Sequence, residues 1–265
     1  MGDDQGDLFD SSGWPPMVPA AMAAAPVLPN PKMLDDAALV AAIPYAGQAA
    51  CVALAAEVIE RSLLAAVPAL EDLCRRFQGF GRLHPVREQT IALETLAALS
   101  GAQANAAVSR LISDRIIEGP GLQTAFKAAV ALKTHLPADI VSAALDELEP
   151  AMRALACRCA RFWPKAVPRL IELLDDLHAN VAGAAAVTLG EMGRREAMPH
   201  LKRLVQTTPS AEAVEALVEI ADDDCFVLLG RIVETQANLR QIVCQALDGV
   251  DHPRAGIILR RLSQV

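Results

Sequence analysis

The chain has 265 residues, 53% of them hydrophobic but only 3% aromatic, and 32 acidic against 24 basic side chains give a formal charge of −8. That length allows one or two ordinary domains or a single elongated repeat domain with a large buried core. The negative charge excludes a protein whose main affinity comes from neutralising nucleic-acid phosphates or anionic lipid head groups, so neither direct nucleic-acid binding nor membrane binding is expected. With one tyrosine and few other rings, the apolar content is mainly Ala, Leu, Val and Ile. Ala and Leu are strong helix formers, and Ala lets helices approach closely, which predicts an all-α protein.

In chain order, residues 1–33 come first, with Pro15, Pro16, Pro19, Pro26, Pro29 and Pro31 among Gly, Ser, Asp and Ala. Such a segment neither sustains a helix nor buries a core, and it reads as a disordered tail. Its start, "MGDDQGDLFD", is acidic where a secretory signal needs positive charge, and Gly6 stands where a myristoylation signal wants Ser or Thr. Glu57 interrupts the best apolar run, Ala49–Ile59, before it reaches membrane-spanning length. A soluble, cytoplasmic protein is expected.

From Leu34 to the end the pattern turns helical, opening with Asp35 and Asp36, which suit a helix N-terminus. Helix pairs are predicted over Gln48–Phe77, Val86–Ser113 and Leu122–Leu148, with "QGFGRLHP" (Gln78 to Pro85) inserted between the first two. A further unit runs through "MRALACRCARFWPKAVPRLIELLDD". Three clear first helices follow at Val181–Met192, Ala211–Ala221 and Leu239–Val250. Leu189, Leu217 and Leu247 fall at the same phase, about 28 and 30 residues apart, and Cys159 lies one step upstream. A Pro-x-Leu step recurs in the second helices at Pro68–Leu70, Pro168–Leu170 and Pro199–Leu201. Two short helices cannot bury both their faces alone, so such units stack into a solenoid of about seven helix pairs over residues 34–265.

The stretch "VTLGEMGRREAMPHLKRLV" resembles bacterial HEAT-like repeats of the type seen in bilin-lyase subunits, through Leu189, Gly190, Gly193, Ala197, Pro199 and Leu201. The resemblance implies a right-handed α-solenoid and no particular activity, because function resides in sites rather than folds.

No catalytic constellation emerges. Cys157 and Cys159 are two positions apart and point to different helix faces. No His or Cys pair has metal-ligand spacing, so neither a metal nor another cofactor is expected. The six cysteines lie in apolar helical patterns as buried, reduced side chains. Asp222–Asp224 reads as a cap for the following helix, and the five histidines fall near helix ends or turns. Trp163, before Pro164, reads either as a plug between units or as an exposed anchor.

The surface feature with the clearest register is a ladder. Arg203, Arg231 and Arg261 each precede a core aliphatic on successive second helices, with Glu172, Glu147 and then Arg110 at the corresponding places upstream. Equivalent positions of stacked second helices are expected to line a concave groove, acidic in its middle and basic toward its C-terminal end. Such a chain is expected to be a non-catalytic protein-binding scaffold whose groove takes an acidic or mixed-charge peptide. The alternative is an enzyme component, since HEAT-like proteins include bilin-lyase subunits and alkylpurine DNA glycosylases; the glycosylase version needs a basic, aromatic-lined groove. In the tail, "QGDLF" resembles the short peptide by which bacterial replication and repair proteins dock on the DNA sliding clamp. Gln5, Asp7, Leu8 and Phe9 match, and Gly6 replaces the commonly preferred Leu.

Overall fold

The computed structural model describes residues 30–262. Among them are fifteen α-helices, joined by 3-10 turns, and no strand. A short α1 (Asp36–Ala42) precedes seven antiparallel pairs. These are α2 (Gln48–Glu60) with α3 (Val67–Arg76), α4 (Arg87–Leu99) with α5 (Gly101–Ser113), and α6 (Gly121–Ala131) with α7 (Ala138–Leu145). Then come α8 (Pro150–Cys159) with α9 (Val167–Glu172), α10 (Ala179–Glu191) with α11 (Met198–Thr207), α12 (Ala211–Glu219) with α13 (Asp223–Thr235), and α14 (Arg240–Leu247) with α15 (Pro253–Leu262). No helix among the described residues is long and apolar enough to cross a membrane.

The first helices, α2 to α14, each pack against the first helices of neighbouring pairs, and one continuous hydrophobic core runs from Leu39 to Ile258. Leu189, Leu217 and Leu247 are all fully buried in it, with Cys159 beside them in the same phase. Periodicity thus translates directly into burial: one residue type recurs because each unit meets the same neighbour.

Local chemistry sets the element ends. Asp35, Ser210 and Asp222 cap α1, α12 and α13, each accepting the backbone N–H three residues on, at 2.7, 3.2 and 2.9 Å. The Asp222 carboxyl is drawn down to about 2 by the Cys225 thiol and backbone N–H, with Lys202 assisting. Pro68, Pro168 and Pro199 each sit in the first turn of a second helix, where their missing N–H costs nothing. Helix α10 ends on Gly193 at φ +71, with Gly193 N–H donating to Gly190 O at 2.9 Å and Arg194 N–H to Leu189 O at 2.8 Å. This double closure satisfies the last carbonyls and needs a left-handed residue.

Helices α2 and α6 close in the same way, but Ser62 (φ 50) and Lys133 (φ 52) occupy the left-handed position, where a Cβ is unfavourable. Both side chains are exposed. Ser62→Gly and Lys133→Gly are each expected to stabilise the fold by about 1 kcal/mol, read as a raised urea midpoint.

Ion pairs tie neighbouring units together. Arg110 on α5 donates to Glu71 on α3 at 2.6 and 3.1 Å, and Arg75 adds a bond of 2.9 Å. The Arg110 hydrogen bonds, opposed by burial, hold the Glu71 carboxyl below the usual carboxylate range. At the N-terminal end, Arg61 bonds Asp36 and the carbonyls of Pro31, Lys32 and Leu34, fastening residues 31–36 to the end of α2.

Candidate protein-binding face

The two faces of the stack differ. The first helices are in close contact throughout, whereas α5, α7, α9 and α11 make few direct contacts with one another. Clefts open in these gaps. One of about 310 Å³ separates α5 from α7, a second of about 660 Å³ lies between α7 and α9, and a third of about 460 Å³ between the turn that follows α9 and α11. A fourth, of about 410 Å³, lies between α13 and α15. Small residues make the third cleft possible: Ala179, Ala182, Gly183 and Ala186 of α10 form its floor, and a larger side chain there would fill it.

The ladder positions fall on or beside these clefts. Arg203, exposed on α11, lines the third, with His200 Nδ1 at 3.3 Å from its Nη2. Arg261 lines the fourth and pairs with Glu234 on α13 at 3.2 Å. Arg231 is exposed on α13 and has no side-chain hydrogen bond or ion pair among the described residues. Glu172 ends α9 and is engaged by Arg169 at 2.8 Å, while Arg169 also pairs with Asp146 at 3.0 Å. Glu147 lies two residues beyond the end of α7, in a loop rather than on a second helix. The acidic middle of the ladder is therefore partly neutralised, and Arg231 is its cation without a side-chain partner among the described residues.

Trp163 is half-buried in the second cleft. Its indole N–H donates to Leu136 O in the preceding unit at 2.9 Å, and its ring centroid lies 4.5 Å from that of His135. One side of the indole thus bridges two units while the other lines the cleft with Phe162 and Lys165. Gln5, Leu8 and Phe9 lie outside the described residues.

Cys157 and Cys159 are both buried, and desolvation pushes each thiol up to about 12, which keeps them as inert core hydrophobes. Among the described residues no group of three or more His, Cys, Asp or Glu could hold a metal ion.

Periodicity did not reveal Arg153, on α8. Its side chain, only 14% exposed, donates to Asp176 at 2.9–3.1 Å and to the carbonyls of Glu147 and Leu148 at 2.9 Å. Burial alone would raise the Asp176 pKa, but the His178 backbone N–H and Arg153 outweigh it and hold the carboxyl below its ordinary value. The signal that could have found this site is the recurrence of Asp-x-Leu, in "DELEP" and "DDLHA", just before two consecutive first helices.

Antiparallel helix pairs stacked around one uninterrupted core define an α-helical repeat protein; four of its clefts lie on the second-helix side, and a fifth of about 550 Å³ is bordered chiefly by the first helices α6, α8, α10 and α12. Residues 137–219, which span α7 to α12, match the family described as HEAT repeats, and the helix pairs on either side of that stretch continue the same stacking. No curated protein matches the chain. HEAT repeats generally mediate protein–protein interaction.

Proposed function

We propose that this protein is a non-catalytic binding scaffold that holds an acidic or mixed-charge peptide segment along the second-helix face. The observation that carries this reading is the run of clefts between successive second helices, with Arg203 and Arg261 on their walls and Arg231 between them, unpaired. A cleft supplies desolvation for an apolar anchor, and a nearby guanidinium gives a carboxylate partner direction. Trp163 adds an aromatic wall at the other end of the same face. Affinity purification from the native cell with wild type and with Arg203→Glu/Arg231→Glu/Arg261→Glu tests the reading. The three side chains are exposed, so the variant is expected to fold and to lose at least one partner; retention of every partner would overturn the assignment.

A further contact is proposed for Gln5, Leu8 and Phe9, on the strength of the motif alone: two apolar side chains enter a hydrophobic pocket of a sliding clamp while Gln5 supplies a directional hydrogen bond. A Met1–Pro19 peptide is expected to bind purified clamp near one micromolar, about −8 kcal/mol, and Leu8→Ala with Phe9→Ala to abolish it. Equal binding of both peptides, or of neither, ends that proposal.

A further inference from the structure

Two leucines stand almost wholly in solvent at equivalent places in consecutive units: Leu148, 94% exposed, in the loop before α8, and Leu177, 98% exposed, in the loop before α10. Single exposed apolar side chains are common on protein surfaces; what sets these two apart is that they recur at the same place in consecutive units and are held together.

Both loops are fastened to the same guanidinium. Arg153 Nη1 donates to the carbonyl of Leu148 itself, and Nε and Nη2 hold the carboxylate of Asp176, the residue before Leu177. Asp176 in turn accepts the backbone N–H of His178 at 2.8 Å, so Leu177 is pinned on both sides. The pair is thus presented in a fixed relative position, and little loop ordering remains to be done when a partner arrives.

The surroundings specify the partner's charge. Asp146 and Glu172 are paired with Arg169 and Asp176 with Arg153, which leaves Glu147, Glu149 and Asp175 as the negative charge beside the leucines, with Arg115 lining the same cleft as Glu147 and Arg203 the same cleft as Asp175. Glu147 and Asp175 are exposed and have no side-chain hydrogen bond or ion pair among the described residues, so their charge is available. An acidic partner is repelled here. A basic one gains charge complementarity around an apolar centre.

We propose that the Leu148–Leu177 edge, on the rim of the cleft whose opposite wall carries Arg203, is a second docking surface, and that it takes a basic amphipathic segment whose apolar side chains cover the two leucines while Lys or Arg meets Glu147 and Asp175. The partner is a protein rather than an anionic lipid or nucleic acid, since a carboxylate-ringed surface opposes both.

The test is a panning of displayed random peptides on the full chain, with counter-selection on Leu148→Ser/Leu177→Ser, a variant whose changed side chains are solvent-exposed and leave the fold intact. Enriched peptides are expected to be net positive with at least two apolar side chains. They are expected to bind the serine variant and Glu147→Lys/Asp175→Lys at least about tenfold more weakly, and to bind Arg203→Glu/Arg231→Glu/Arg261→Glu undiminished. Enrichment of neutral or acidic peptides, no enrichment, or equal affinity for the serine variant overturns the proposal. Loss of binding only in the arginine variant overturns it as well and assigns the peptides to the ladder, so failure of the two readings is told apart.

Discussion

Gly190→Ala lowers stability by about 3 kcal/mol, which in a domain of this size is a fall of about 6–12 °C in Tm. The glycine sits on α10 where that helix crosses α12, and a Cβ there would lie 2.8 Å from the Ala216 carbonyl oxygen, 2.9 Å from the Ala216 Cβ and 2.8 Å from Leu201 Cδ1. The leucine end can rotate away. The backbone oxygen cannot, so α10 and α12 must separate and open the core along the whole interface between two units. Gly193→Ala is the control: nothing lies near a Cβ there, and only the left-handed conformation resists it, at about 1 kcal/mol. Equal effects of the two substitutions, measured by thermal or urea unfolding, would show that the helices do not cross this closely.

Arg153→Ala has the second large effect, about 3–5 kcal/mol at neutral pH, because removing one partner of a buried pair strands the other. Asp176, 9% exposed at its side chain, would keep its charge without the guanidinium, and the carbonyls of Glu147 and Leu148 would lose their donor. The effect depends on pH with a definite sign. A carboxyl whose pKa is lowered by folding contributes stability above its unfolded value, near 4, and loses it as pH falls through the folded value. The wild-type advantage over Arg153→Ala is therefore largest at pH 7 and shrinks below about pH 4. Urea unfolding of both proteins at neutral and acid pH measures this; a difference that is unchanged at acid pH would contradict the role given to Asp176.

The fold was largely legible because its determinants are local and repeated. Leu189, Leu217 and Leu247 recur because every unit buries the same face, and Pro68, Pro168 and Pro199 mark the first turn of a second helix wherever they occur. Gly190 and Gly193 looked like one motif, yet they serve separate needs, a close helix crossing and a left-handed helix end. The site was less legible, since charge in sequence is not charge at a surface. Glu172 is matched by Arg169 three residues earlier, which helical spacing could have shown. The pairing of Arg261 with Glu234 depends on how α15 lies against α13. Arg153 reaches a carboxylate and two carbonyls in separate loops, an arrangement set by the spacing of units and invisible to periodicity. Clefts are likewise a property of gaps between helices, and no single residue announces them.

The central claim, that the second-helix face receives a protein partner, is tested most directly by site-specific photocrosslinking in the native cell. A photoreactive residue placed at Arg203 or Arg231, on second helices, is compared with one at Glu94 or Lys127, exposed positions of the first helices α4 and α6. The account predicts that positions 203 and 231 cross-link to the same protein and that 94 and 127 do not. Cross-links of equal yield at all four positions, or confined to 94 and 127, would contradict it.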